Sequence, residues 1–296
     1  MYIILSVDIT GSTKLKNEAD TSEKRIAWMN LFSTFATDFT AHFIAKLRLK
    51  NCEEAHLLKS LGDELVFYYK LIHSNKVTSV LDSFDDAVYD YYNNNQSHGI
   101  GFKCSSWLVG TPVANLKITN NNQVIDFVGP SMDIGFRISK YSSHNRFIVS
   151  LDLAYLIAKN DKRKRIFYYG KEILKGVLQN KEYPIFYLES LHVNAHEEND
   201  PMAKYTEKNH VEINDLCEYA ERFMKENPLI FFPFIIDNQQ IQFGDIPHDY
   251  PGIYKKVITE IYRKDPTLQA DKDSTSENQN AFFNQVSKIL DTYKNK

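Results

Sequence analysis

Lys59-Ser60-Leu61-Gly62-Asp63-Glu64 stands between two short apolar-rich runs, Ala55-His56-Leu57-Leu58 before it and Leu65-Val66-Phe67-Tyr68-Tyr69 after it. Two such runs joined through Gly-Asp predict a β-hairpin with Gly62-Asp63 at its tip, because glycine takes the positive φ that tight hairpin turns demand. Such a turn holds the Asp63 carboxylate between two rigid strands. A second acid, Asp8, ends the apolar run Tyr2-Ile3-Ile4-Leu5-Ser6-Val7 and opens Ile9-Thr10-Gly11-Ser12-Thr13, a small-residue turn whose backbone N–H groups suit a phosphate. Singly, each acid has a plainer reading as a turn former or helix cap. Two carboxylates at strand ends beside a phosphate-compatible turn point to a divalent-metal, nucleoside-triphosphate site.

A third element strengthens the pair: Asp126-Phe127-Val128-Gly129-Pro130-Ser131-Met132-Asp133-Ile134-Gly135-Phe136-Arg137. Together the three blocks resemble the signature blocks of class III nucleotidyl cyclases, which turn a nucleoside triphosphate into a 3′,5′-cyclic monophosphate and pyrophosphate. Asp-Ile-Thr-Gly-Ser-Thr from Asp8, Lys-Ser-Leu-Gly-Asp-Glu from Lys59 and Gly-Phe-Arg from Gly135 are most similar to the bacterial Pycsar pyrimidine cyclases of anti-phage defence. The likeness covers about residues 1–190.

The resemblance implies a set of roles. Asp8, Asp63 and the Ile9 carbonyl match the ligands of two Mn²⁺ or Mg²⁺ ions. Arg137 matches the arginine that stabilises charge on the α-phosphate, a task suited to a guanidinium fork; its bland alternative is a solvated helix arginine. Asp133 stands where many adenylate cyclases have an Asn that orients the ribose, and if its segment is helical it shares a face with Arg137. Lys175 resembles the lysine that holds the terminal phosphates, and Thr10, Gly11 and Ser12 form the phosphate turn. Lys59 and Asp126 match the two positions that read the base. One donor and one acceptor satisfy adenine, cytosine or uracil alike, so the pair does not name the base. The likeness to uridylate cyclases places UTP ahead of CTP and ATP. Phe102, Trp107 and Phe136 are large enough to narrow a pocket to pyrimidine size, or else belong to the core.

Lys59 and Asp63 share a hairpin, yet the resemblance assigns them to opposite ends of a nucleotide. It also implies the resolution: a head-to-tail homodimer with two composite sites, whose product acts on a cyclic-nucleotide-responsive effector. A reading of another class is a catalytically inactive cyclase-fold module that binds nucleotide and signals through its tail. The intact Asp8, Asp63 and Arg137 argue against it.

Composition agrees with a globular chain. The 296 residues are 43% hydrophobic, enough for a sizeable core, and a net charge of −3 with interspersed lysines and acids offers no footprint for nucleic acid. Cys52, Cys104 and Cys217 lack disulfide or zinc spacing, which fits a reducing cytoplasm. The apolar start, interrupted by Asp8, reads as a strand rather than a signal peptide, and Leu229 to Ile236 is far too short to span a bilayer.

Apolar Ile26, Met29, Phe32, Phe35, Phe39 and Phe43 predict an amphipathic helix over 22–46, and the pattern recurs over 77–92. Strands are expected at 100–109, 124–128, 147–149, 172–174 and 183–188, a loop at 115–123, a helix of about ten residues capped by Ser131, and a short helix at 151–159. The order predicts an α+β fold: a ferredoxin-like class III cyclase core with helices packed on a mostly antiparallel sheet. It fills residues 1–190. A polar linker (191–210) and a mainly helical C-terminal extension (211–296) follow, with helices at 211–225, 254–263 and 281–293 and an apolar strand or buried segment at 229–236.

Overall fold

A computed structural model describes residues 1–95, 99–111, 113–120, 123–190, 210–237, 240–247, 250–257 and 259–260. In chain order its strands are β1 (Tyr2–Thr10), β2 (His56–Leu61), β3 (Glu64–Lys70), β4 (Gly101–Val109), β5 (Leu116–Asn120), β6 (Gln123–Val128), β7 (Arg146–Val149), β8 (Phe167–Ile173), β9 (Glu182–Glu189), β10 (Ile235–Asp237) and β11 (Gln240–Phe243). Its α-helices are α1 (Ser12–Asn17), α2 (Ser22–Leu49), α3 (Val77–Asn95), α4 (Pro130–Ile138), α5 (Leu151–Asn160), α6 (Ile213–Glu226) and α7 (Tyr250–Val257).

The main sheet runs β2-β3-β1-β4-β7-β9-β8, antiparallel at every junction except β4 with β7. β1 lies inside it with both faces covered, which is why its sequence is an almost unbroken apolar run. Side chains alternate across a strand. Ile3, Leu5, Val7 and Ile9 therefore enter the large core under α2 and α3, with Phe35, Phe39, Phe43 and Phe84, while Tyr2 and Ile4 join Trp107, Phe127 and Met132 on the opposite face.

α2 starts where Thr21 accepts a hydrogen bond from the Lys24 N–H, and its burial begins only at Leu31. Ile26 and Met29, counted in the apolar stripe, are 57% and 52% exposed. At ~1.5 Å per residue the helix is longer than the strands it covers. The expected hairpin forms as predicted, with Leu61 opposite Glu64 and Gly62 at φ +77°.

Four expectations need correction. Residues 115–123 are mostly strand: β5 pairs with β6 as a separate hairpin, anchored where the Lys117 ammonium reaches the Tyr2 hydroxyl at 3.4 Å. The polar composition hid it, because its partner surface is tertiary. The cap of α4 is Gly129, with Pro130 in the first turn; the Ser131 hydroxyl instead accepts from the Asn115 side-chain amide N–H at 3.1 Å, and the Ser131 backbone N–H donates to the Asn115 side-chain oxygen Oδ1 at 3.1 Å. Of the strand or buried segment expected at 229–236, only Ile235 and Ile236 enter a strand, which ends at Asp237, since Pro233 carries no donor for a ladder; Ile230 is buried outside it. The helix expected at 254–263 begins earlier, at Tyr250, and is described to Val257.

Residues 191–209 of the expected 191–210 linker, and the helix expected at 281–293, lie outside the described residues, while His210 forms a β-bridge with Phe167. Past the linker, the Val211 N–H donates to the Ile166 carbonyl at 2.7 Å, and Leu216, Cys217, Ala220 and Met224 of α6 complete the large core beside α5. Among the described residues no helix is long and apolar enough to cross a membrane.

Asp152, in the first turn of α5, accepts from the Ser150 hydroxyl and from the Leu153 N–H, yet burial pushes its carboxyl up from 3.8 to about 6. Between those values the folded chain holds a proton that the unfolded chain has lost, so stability falls as pH rises and the penalty is complete above about 6. About two units correspond to roughly 3 kcal/mol. Urea denaturation across pH ~4–7 is expected to show wild type losing about that much relative to Asp152→Asn; parallel curves would contradict the buried acid.

Candidate active site

Asp8 does not end β1 as expected but sits within it, in register with Glu64 of β3 on one side and Lys103 of β4 on the other. Residues directly opposite across strands project to the same face, with Cβ atoms ~5 Å apart. The three side chains thus form one row, Lys103, Asp8, Glu64, on the face that carries Tyr2, Ile4 and Trp107. The Lys103 ammonium is 2.7 Å from an Asp8 carboxylate oxygen, and Ser6, two residues back, donates to Glu64 at 2.5 Å.

Asp63 joins this row from the hairpin tip. The Ile9 N–H donates to the Asp63 carbonyl at 3.1 Å, and the Ser12 hydroxyl donates to its carboxylate. Burial raises the Asp8 carboxyl above its ordinary range, and the charge of Asp63 adds to the rise, against the opposing bond and charge of Lys103. Glu64 is raised by burial first and then by Asp8 and Asp63, with the Ser6 bond and Lys103 opposing. Across from Ser6, the Ser105 hydroxyl is buried with no hydrogen-bond partner among the described residues. An unmet buried hydroxyl costs ~1–3 kcal/mol, so this row has polar demands that the protein alone does not satisfy.

Oxygen donors under mutual repulsion fit a hard divalent cation. Among the described residues, however, no three or more His, Cys, Asp or Glu side chains converge as a ready-made cage. Asp8 and Asp63 with a main-chain carbonyl leave room for substrate oxygens, as Mg²⁺-type sites do.

The other expected residues form two further groups. Lys59 of β2 binds Asp126 of β6 at 2.7 Å and lies over the Phe136 ring at 5.7 Å, while the same carboxylate accepts the Phe127 N–H at 2.8 Å. On α4, Arg137 donates through Nε to the Lys175 carbonyl at 2.5 Å and through Nη1 to the Asp133 carbonyl at 2.9 Å, with the Asp133 carboxylate 3.6 Å away. Asp133 and Arg137 do share a helix face. Lys175 contributes its carbonyl here and leaves its side chain exposed. Among the described residues no hydrogen bond or ion pair joins Lys59 or Arg137 to Asp8 and Asp63.

Lys103, Glu64, Ser6 and Ser105 were not foreseen as part of this row. For Ser6, Lys103 and Ser105 the signal was the polar alternation within the otherwise apolar β1 and β4, and for Glu64 its place beside Asp63, but the register that sets Lys103 against Asp8 is a long-range pairing. The pocket-narrowing role considered for Trp107 and Phe102 does not hold. Trp107 is fully buried under α4, its indole N–H donating to the Met132 sulfur at 3.5 Å, and Gly135 packs so closely that a Cβ there would overlap the ring. Phe102 packs on the opposite face with Phe35 and Tyr91. Phe136 is only half buried and lies beside Lys59.

The sequence matches no protein-family profile and no curated protein. Its structure superposes on the adenylyl cyclase CyaB from P. aeruginosa with a TM-score of 0.50 at 12% identity, covering 65% of this chain and 96% of that one. The fold is that of a class III cyclase catalytic domain. Two guanylyl cyclases align more loosely: Cya2, at 12% identity and TM-score 0.43 over 66% of this chain and 93% of its own, and the RhGC domain from Catenaria anguillulae in complex with GTP, at 12% and 0.45 over 64% and 96%.

With its indole wholly buried, Trp107 stabilises the seat of α4. Trp107→Ala is expected to cost about 3–5 kcal/mol in urea denaturation. A loss below ~1 kcal/mol would show that the site collapses without penalty.

Proposed function

We propose that this chain is a pyrimidine nucleotide cyclase that converts UTP to 3′,5′-cyclic UMP and pyrophosphate, producing a second messenger in anti-phage defence. The observation that carries the reading is the meeting of Asp8 and Asp63 near the end of β1, an interior strand of a cyclase fold, joined by the Ile9 to Asp63 backbone bond. UTP rests on the likeness of the three sequence blocks, with CTP next.

Asp8, Asp63 and the Ile9 carbonyl hold the Mn²⁺ or Mg²⁺ ions, and the Thr10-Gly11-Ser12 turn faces the phosphates. Bound cations lower the pKa of the ribose 3′-hydroxyl and offset the charge of the triphosphate. Lys59 and Asp126, already paired at 2.7 Å, open to take the base edge as donor and acceptor. Arg137 is aimed by the Asp133 and Lys175 carbonyls, and its guanidinium stabilises the charge that develops on the α-phosphate. Asp133 orients the ribose, and the free ammonium of Lys175 takes the terminal phosphates.

On the likeness to class III cyclases, each nucleotide lies between two copies of the chain, one giving Asp8 and Asp63 and the other giving the base-reading pair and Arg137. Residues 1–190 are the catalytic part on this reading, 191–210 link it onward, and 211–296 are an extension that seats α6 on the core. The product acts through a cyclic-nucleotide-responsive effector.

Incubation with Mn²⁺ and each of the four nucleoside triphosphates is expected to yield cyclic UMP fastest; a preference for ATP or GTP would overturn the pyrimidine assignment. Asp63→Ala should abolish the product while leaving the protein folded, and activity within about tenfold of wild type, ~1.4 kcal/mol of barrier, would remove Asp63 from the site. Mixing inactive Asp8→Ala and Arg137→Ala chains should restore one working site per heterodimer. Tagged mixed dimers that form but stay inactive would rule out the composite site.

A further inference from the structure

Lys103 has no role in the reading above, yet it is the nearest cation to its central acid. Register fixes it there, since β4 sets Lys103 directly opposite Asp8, and its ammonium stands 2.7 Å from the carboxylate. The pair is partly sheltered, with 35% and 24% of the two side chains exposed. Lys103 also lies close enough to oppose the crowding of charge at Glu64, the third acid of the row.

A divalent ion held by Asp8 must bind a carboxylate oxygen, and the ammonium already holds one. The two cations also repel each other at that range. From this geometry we propose that Lys103 is a built-in counter-cation which holds one Asp8 carboxylate oxygen in the resting protein and lowers the affinity of that acid for the divalent metal, so that metal and ammonium compete for Asp8. The inference rests on the metal-site reading of Asp8 and Asp63. Three acids crowded on adjacent positions would repel one another without a resident cation, and Lys103 supplies one that the chain carries with it. The Lys103 side chain is 35% exposed, so an ammonium that yields Asp8 to the metal can turn to the oxygens of an incoming triphosphate.

The test is Mn²⁺ binding to the full-length protein without nucleotide, followed by the loss of the free Mn²⁺ signal in electron paramagnetic resonance. Lys103→Met is expected to bind at least tenfold more tightly than wild type, and Lys103→Arg, which keeps the charge, to stay close to wild type. Equal or weaker binding by Lys103→Met, or no binding by either protein, overturns the counter-cation role. Asp8→Asn separates this from the underlying reading: it should lose Mn²⁺ binding, and if it binds as wild type does, Asp8 is not a ligand and both ideas fall. Circular dichroism melts of each variant identify any loss that comes from unfolding rather than from the site.

Discussion

β1 is hydrogen-bonded along both edges and packed on both faces, and the placing of every proposed metal ligand follows from that strand. Its odd-numbered side chains lie under α2 and α3, where a fully buried Phe or Leu contributes roughly 1.5–3 kcal/mol. A slip of one residue would turn Val7 and Ile9 outward and Asp8 into that core. The large apolar cluster on one face is therefore what holds an acid on the other. The register of the hairpin depends on the same strand, since Glu64 and the whole of β3 are aligned against it.

The acid row is an unfavourable arrangement that this packing maintains. Asp8 and Glu64 are both raised by burial and by neighbouring charge, and the buried Ser105 hydroxyl, across from Ser6, has no hydrogen-bond partner among the described residues. Ser6, Ser12 and Lys103 relieve part of the cost through hydrogen bonds and one ion pair. Polar strain concentrated at one end of the otherwise apolar β1 is a pattern shared with binding sites. By contrast, the Lys59–Asp126 and Arg137–Asp133 groups are already satisfied within the chain, the first by an ion pair and the second by main-chain carbonyls that aim the guanidinium.

The α4 seat links these groups to the core. Gly135 lets the helix lie directly on the Trp107 indole, and Arg137 and Asp133 project from the helix so placed. The bulky residue that appeared able to shape a base pocket instead supports the helix that carries the arginine.

Sequence by itself determined the apolar runs, the Gly62-Asp63 turn and the spacing of Asp133 and Arg137, because hairpin tips and helix faces are set by neighbours within a few residues. It also marked Asp8 and Asp63 as candidates, through blocks whose order is itself linear information. Only the tertiary structure decided that Asp8 lies within a strand, that Lys103 and Glu64 flank it, that 116–120 pairs as a strand, and that Trp107 is core. Those outcomes depend on strand register and on which face meets which helix: Asp8 pairs with Glu64 and Lys103, 56 and 95 positions further along the chain, and local propensity carries no record of such contacts.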